Sequence, residues 1–143
     1  MKLSEIMSRD VEVVSPHTTI TEAARTMRDL DTGYLPVGAD GQLQGAITDR
    51  DITIRITAEG MDPNAMKVRD AMTEEVVYCF EDSDVQEAAR LMSEQQIRRL
   101  PVLSRDKKLV GVVSIGDIAT QSGQDEVVGE ALEQISQPGQ NQR

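Results

Sequence analysis

A single cysteine, Cys79, excludes an intrachain disulfide, and the chain has neither a CxxC motif nor a metal cluster built on thiolates. It sits in the apolar run "VVYCF", where a thiol behaves as a small hydrophobe. The one histidine, His17, follows Pro16 in a loop-like stretch and has no second histidine or acidic pair at metal-ligand spacing. A Ser-His-Asp or Cys-His set would draw every base from that one residue, so no catalytic set is expected. Aromatic side chains make up 2% of the chain and tryptophan is absent, which leaves few platforms for stacking single-stranded nucleic acid. Positive charge is also scarce. With 15 Lys and Arg against 25 Asp and Glu, the net charge of −10 opposes general contact with phosphate backbones. No run approaches the roughly 20 apolar residues that span a bilayer, and charges interrupt "MKLSEIMSRD" too often for a signal peptide. A cytoplasmic setting is the expectation, with neither nucleic acid nor membrane as partner.

What the chain has is a repeat. Met7 and Met72 lie 65 positions apart, as do the two "EAAR" segments at Glu22 and Glu87, Met27 and Met92, and the two "LPV" segments at Leu35 and Leu100. From Gly45 and Gly111 to Asp51 and Asp117 the offset is 66, so the second copy has one extra residue in the intervening loop. Periodicity gives the same elements in each copy. "VEVV" (11–14) and "VVYCF" (76–80) have strand composition. "TITEAARTMRDL" (19–30) is helical, with Thr19 and Glu22 at capping-box spacing, and its twin begins near Ser83 or Asp84. A hairpin follows, turning at Asp40-Gly41 in the first copy and at the charged "SRDKK" in the second. A helix over 49–60 stops at Gly60, and "IGDIATQS" opens a shorter counterpart.

The unit is therefore β-α-β-β-α, used twice, an α+β architecture with mixed sheets. Expected boundaries are 1–62 for the first repeat, 63–122 for the second and 123–143 for an amphipathic helix with a disordered tail from 136. By length the chain is one cooperative unit, its repeats packed about a pseudo-twofold axis with the matched methionines in a shared core. The helix in "QDEVVGEALEQI" has no twin, and its apolar face suits either this module or another subunit.

Each copy closes on a hydroxyl residue and an aspartate three places on: Thr48 with Asp51 in "GAITDRD", Ser114 with Asp117 in "GVVSIGD". That spacing makes a helix cap. A helix N-terminus so placed also suits a phosphorylated ligand. Capping alone does not require the glycines three residues before each hydroxyl, Gly45 and Gly111; a close approach of strand to helix would explain them. Basic residues distinguish the copies. Arg98 and Arg99 precede the second "LPV" where Gly33 and Tyr34 precede the first, and Arg50 in the first motif has Gly116 as its counterpart in the second. Asp29 and Asp31, at a helix end, are read as solvated rather than magnesium-binding.

The doubled pattern of "LSEIMS" and "VRDAMT" before each first strand, then "EAAR.M", "LPV" and the closing "G(A/V)(I/V)(T/S)..D", resembles the tandem cystathionine-β-synthase (CBS) domain pair, or Bateman module, over roughly residues 1–122. The resemblance implies a regulatory sensor without catalytic residues or an obligatory cofactor. Its inter-repeat clefts would hold an adenine nucleotide such as AMP, ADP or ATP, or NAD or S-adenosylmethionine. Carried over by position, Asp51 and Asp117 would accept from ribose hydroxyls, Thr48 and Ser114 would face ribose or phosphate, and Arg99, with Arg98 beside it, would reach a phosphate. The backbone around Val11, Val13, Val76 and Tyr78 would border the base. A homodimer and an effector protein of unknown identity are the expected partners. The alternative is a ligand-free dimeric interaction protein.

Overall fold

In the computed structural model, residues 1–138 are described; the expected disordered tail lies outside them from residue 139 on. The chain forms two compact units. One, the first-repeat unit, is Val11–Val76; the other, the second-repeat unit, joins Met1–Asp10 to Val77–Arg143. Each has its own hydrophobic core, with Met27 and Met72 in the first and Met7 and Met92 in the second. The expected single core shared by all four methionines is thus replaced by two.

In the first-repeat unit, helix α1 (Ile20–Leu30) starts at Thr19, whose hydroxyl accepts the Glu22 amide at 3.1 Å. Only that half of the expected capping box forms, while the helix buries Ile20, Ala23 and Met27. Strands β1 (Tyr34–Ala39) and β2 (Gln42–Thr48) make an antiparallel hairpin. Asp40 and Gly41 both have positive φ, 54° and 77°, as a tight primed turn requires. Helix α2 (Asp49–Ile52) passes directly into a π turn, Thr53–Thr57, in which the Ala58 amide reaches back five residues to the Thr53 carbonyl. There Ile56 enters the core, and Arg55 donates to the carbonyls of Ala71 and Met72, each at 3.1 Å.

In the second-repeat unit, α3 (Val85–Gln95) starts at Asp84, which accepts the Gln86 amide at 2.9 Å. Strands β5 (Arg99–Leu103) and β6 (Leu109–Ser114) form the matching hairpin, followed by α4 (Ile115–Gln121). The C-terminal helix α5 (Asp125–Ile135) lies against α3 and α4 and buries Val128, Ala131 and Ile135. Of the two destinations its apolar face suits, the structure shows its own unit.

The two β-branched runs expected as strands are mostly extended chain. Val11–Val14 contributes one parallel bridge, Val14 to Val37, and of 76–80 only β4 (Cys79–Phe80) pairs, parallel to β5. Each sheet is completed instead by the segment just before the other repeat. Strand β3 (Thr73–Glu74), ahead of the second repeat, pairs antiparallel with β2. Ser8, its twin at the start of the chain, exchanges backbone bonds of 2.9 and 3.0 Å with Val112 on β6. The leaders match bond for bond: Leu3 amide to Ser83 carbonyl at 2.9 Å repeats as Val68 to Thr18 at 2.8 Å, and Ser4 to Glu81 at 2.9 Å repeats as Arg69 to Pro16 at 3.0 Å. Leu3 and Val68 are both fully buried. Residues 1–10, grouped with the first repeat by sequence order, thus belong physically to the unit of the second.

Candidate functional site

Both hydroxyl-aspartate pairs close as reciprocal capping boxes. In the first-repeat unit the Thr48 hydroxyl accepts the Asp51 amide at 3.0 Å, and Asp51 Oδ2 accepts the Thr48 amide at 2.9 Å. In the second, Ser114 and Asp117 reproduce these bonds at 3.0 and 2.9 Å. Each box turns a hairpin strand into a short helix and satisfies two amides that the helix start would otherwise leave open. Thr48 and Asp51 are each only 7% exposed, while Ser114 and Asp117 are half-buried. Asp117 engages its neighbours through Oδ2, and among the described residues no hydrogen bond occupies its Oδ1.

The partner strand makes the two sites unequal. Tyr34 lies opposite Thr48 in the first hairpin and is buried at 7% exposure; Arg99 lies opposite Ser114 in the second. Directly opposed residues of an antiparallel pair project to the same face. Arg99 is half-buried, and among the described residues no carboxylate or carbonyl takes its guanidinium. It shares a strand face with Ser114, the capping residue of the second box. Arg98 is exposed, and its backbone carbonyl receives the Ile115 amide at 2.9 Å, as the Gly33 carbonyl receives that of Asp49 at 3.0 Å.

The segments expected to border a base run beside the hairpins. Val13 is exposed and Val11 half-buried, while Val14 turns into the core. Val76 and Tyr78 are half-buried, and the Tyr78 ring meets Phe80 edge-on at 5.7 Å. Arg105, within the charged turn "SRDKK", sits 4.3 Å over Phe80 and pairs with Asp82 at 2.8 Å. That guanidinium holds the Asp82 carboxyl below its ordinary value. Phe80 gave no sign of this in the sequence, because the stack joins positions 25 apart.

The remaining candidates have local roles. His17 is exposed, its amide donating to the Ser15 hydroxyl at 3.1 Å and its Nδ1 lying 3.5 Å from the Arg69 guanidinium. Asp29 pairs with Arg28 at 2.9 Å, and Asp31 closes α1 in the left-handed conformation. Cys79 is buried, and its thiol is pushed up to about 11, first by burial and then by the nearby Glu87 charge, with Arg90 opposing. An unfolded thiol ionises near 9, so this group favours the folded state fully below that pH and loses its contribution as pH climbs towards 11. The urea midpoint of the wild type should therefore fall more between pH 8 and 10.5 than that of Cys79→Ala. Equal falls would mean that the thiol is not shielded.

Among the described residues no group of three or more His, Cys, Asp or Glu is placed to hold a metal ion, and no helix is long and apolar enough to cross a membrane.

The CBS domain model matches residues 3–57 and 68–122. The CBS domain-containing protein YhcV of Bacillus subtilis (strain 168) is 40% identical over 134 residues, 94% of each chain. Hypoxic response protein 1 of Mycobacterium tuberculosis is 41% identical over 116 residues, 80% of each chain. A solved structure of Hypoxic Response Protein I, holding two coordinated zinc ions, superposes with a TM-score of 0.77 at 39% identity, covering 85% of this chain and 98% of the other. The CBS domain pair of protein MJ0100, solved with 5′-methylthioadenosine and S-adenosyl-L-methionine, superposes at 0.76 with 28% identity, covering 86% of this chain and all of that one. With a match in each repeat and relatives this similar along most of its length, the chain belongs to the CBS-domain family and carries two such domains in tandem.

Proposed function

We propose that the protein is a regulatory sensor that binds an adenosine-containing ligand, an adenine nucleotide such as AMP or ATP by preference, at Ser114, Asp117 and Arg99. One observation carries this reading: Arg99, half-buried and without a hydrogen-bond partner among the described residues, shares a strand face with the capping Ser114, whose partner Asp117 keeps an open oxygen. The open Oδ1 of Asp117 suits a ribose hydroxyl as donor. Arg99 suits a phosphate through its fork of donors. Thr48 and Asp51 form the equivalent position of the first repeat, but the buried Tyr34 takes the place of the arginine. Extended backbone suited to a base is offered within each unit by itself: by Tyr78 ahead of β4 in the second-repeat unit, and by Val11, Val13 and Val76 in the first. The adenosyl ligands of MJ0100 support the ligand class, and Arg99 favours its phosphorylated members. Such a ligand acts on an effector protein only through a difference in affinity between two states of the module.

A cytoplasmic, non-enzymatic role belongs to this reading, as does a homodimer formed through exposed apolar side chains such as Leu30 and Ile54.

Calorimetry with AMP, ATP, NAD and S-adenosylmethionine tests it. Asp117→Asn keeps a cap acceptor but loses the charge, and should weaken binding at least tenfold; Arg99→Met should weaken ATP and AMP more than S-adenosylmethionine. Saturable binding unchanged by both Asp51→Ala and Asp117→Ala would reject the site. Silence with every ligand would favour the ligand-free interaction protein, a reading supported by how fully the capping boxes account for the hydroxyl-aspartate pairs.

A further inference from the structure

An aspartyl side chain can be attacked by the backbone amide nitrogen of the residue that follows it, provided that nitrogen is free and uncrowded. Most exposed aspartates of this chain are protected. After Asp31 the Thr32 amide donates to the Met27 carbonyl at 3.0 Å, and after Asp82 the Ser83 amide donates to Phe80 at 3.0 Å. Asp62 precedes Pro63, which has no amide hydrogen, and Asp10 precedes the β-branched Val11. Asp40, at the tip of the β1–β2 hairpin, differs on each count. It is exposed, and its carboxylate has no ion pair or hydrogen bond among the described residues. The next residue, Gly41, has nothing within 4 Å of where a Cβ would stand, and its amide makes no turn hydrogen bond. Asp40 is also held at φ 54°, a conformation that costs an L residue energy.

We propose that Asp40 is a site of spontaneous isoaspartate formation, with water as the only co-reactant. The Gly41 nitrogen bonds to the side-chain carbonyl carbon of Asp40. The amide hydrogen and the hydroxyl of the solvent-protonated carboxyl leave together as water, and a succinimide ring closes. Water then opens the ring. Attack at the side-chain carbonyl restores aspartate, whereas attack at the main-chain carbonyl leaves the peptide running through the side chain, one methylene longer. Nothing is oxidised or reduced. A two-residue turn fixes register by its length and by positive φ at both residues, so the longer backbone should unpair Ala39 from Gln42 first. The second repeat supplies the contrast. Its hairpin tip carries an exposed Asp106 before Lys107 at φ 63°, but Lys107 has a side chain and its amide is engaged by the Ser104 carbonyl at 2.8 Å. Ageing would therefore act on the hairpin that carries Thr48 and spare the one that carries Ser114.

Peptide mapping of the folded chain held at 37 °C and pH 7.4 tests this, with isoaspartate recognised by unchanged mass, altered retention and resistance to Asp-N protease. Asp40 should convert at least tenfold faster than Asp106. Lys107→Gly, which suits the positive φ there, writes the same Asp-Gly pair into the second turn but keeps its amide engaged. That variant's Asp106 should remain at least threefold slower than Asp40 in the folded chain and match it in concentrated urea. Aged molecules should exchange the amides of β1 and β2 faster, with β5 and β6 unchanged. An absence of isoaspartate at Asp40, a Lys107→Gly turn that reacts as fast as Asp40 in the folded chain, or exchange in β1 and β2 equal to that of fresh protein would each overturn the proposal.

Discussion

Leu3→Ala is expected to destabilise the protein by about 2–5 kcal/mol, the range for emptying a fully buried leucine site. The residue lies at the third position of the chain, where truncation is ordinarily tolerated. Here its side chain is in the core of the second-repeat unit, and its amide is bonded to Ser83 at 2.9 Å. Val68→Ala, the same position one repeat later, should act on the first-repeat unit with a smaller cost, because fewer atoms are removed. Urea denaturation followed by amide exchange would assign each loss to its unit. Leu3→Ala should accelerate exchange at Val112 and Val113 before it does so at Ala46 and Ile47. A destabilisation of less than 0.5 kcal/mol would mean that the leader is not part of the core.

The second large effect is expected at the glycines before the two capping hydroxyls. A Cβ at Gly111 would lie 2.7 Å from the Ser8 carbonyl oxygen and 2.8 Å from the Met7 sulfur, and one at Gly45 would collide with the Thr73 carbonyl. The methionine tail can move aside, but the backbone of a paired strand cannot without giving up its bonds. Gly111→Val and Gly45→Val should each cost about 1–3 kcal/mol or more by overpacking. They should also loosen the leader selectively, detected as faster protease cleavage near Ser8 or Thr73. Cleavage at the wild-type rate would show that the strand accommodates the side chain.

These glycines show where the sequence was legible and where it was not. Their presence suggested a close approach of strand to helix, but the backbone that comes close is a leader, Thr73 at Gly45 and Ser8 at Gly111, the latter 103 residues away along the chain. Nothing local marks such a partner. Elements whose cause is local were readable: α1 from its apolar spacing and Thr19, the first hairpin from Asp40-Gly41, both capping boxes from a three-residue spacing. The runs 11–14 and 76–80 have strand composition, yet their pairing is limited by what lies alongside them, so bridges formed where full strands were expected. The π turn after Ile52 was hidden because the apolar pattern of 49–60 reads as helix in either geometry; the regular turns end at Thr57, and Gly60 lies just beyond with φ 70°. At the candidate site the sequence named the residues, while the opposition of Arg99 to Ser114, and of Tyr34 to Thr48, required the hairpin register.

The reciprocal leaders also impose an order on biosynthesis. Leu3, Ile6 and Met7 are synthesised ahead of the surfaces that bury them, around Ser83 and Val112, which emerge about a hundred residues later. At 5–20 residues per second, that is a wait of roughly 5–20 s with an apolar segment uncovered. The leader of the second repeat has no such delay, since Val68 follows Thr18 and meets a partner already made. The nascent chain should therefore complete the first-repeat unit while Leu3, Ile6 and Met7 are still uncovered.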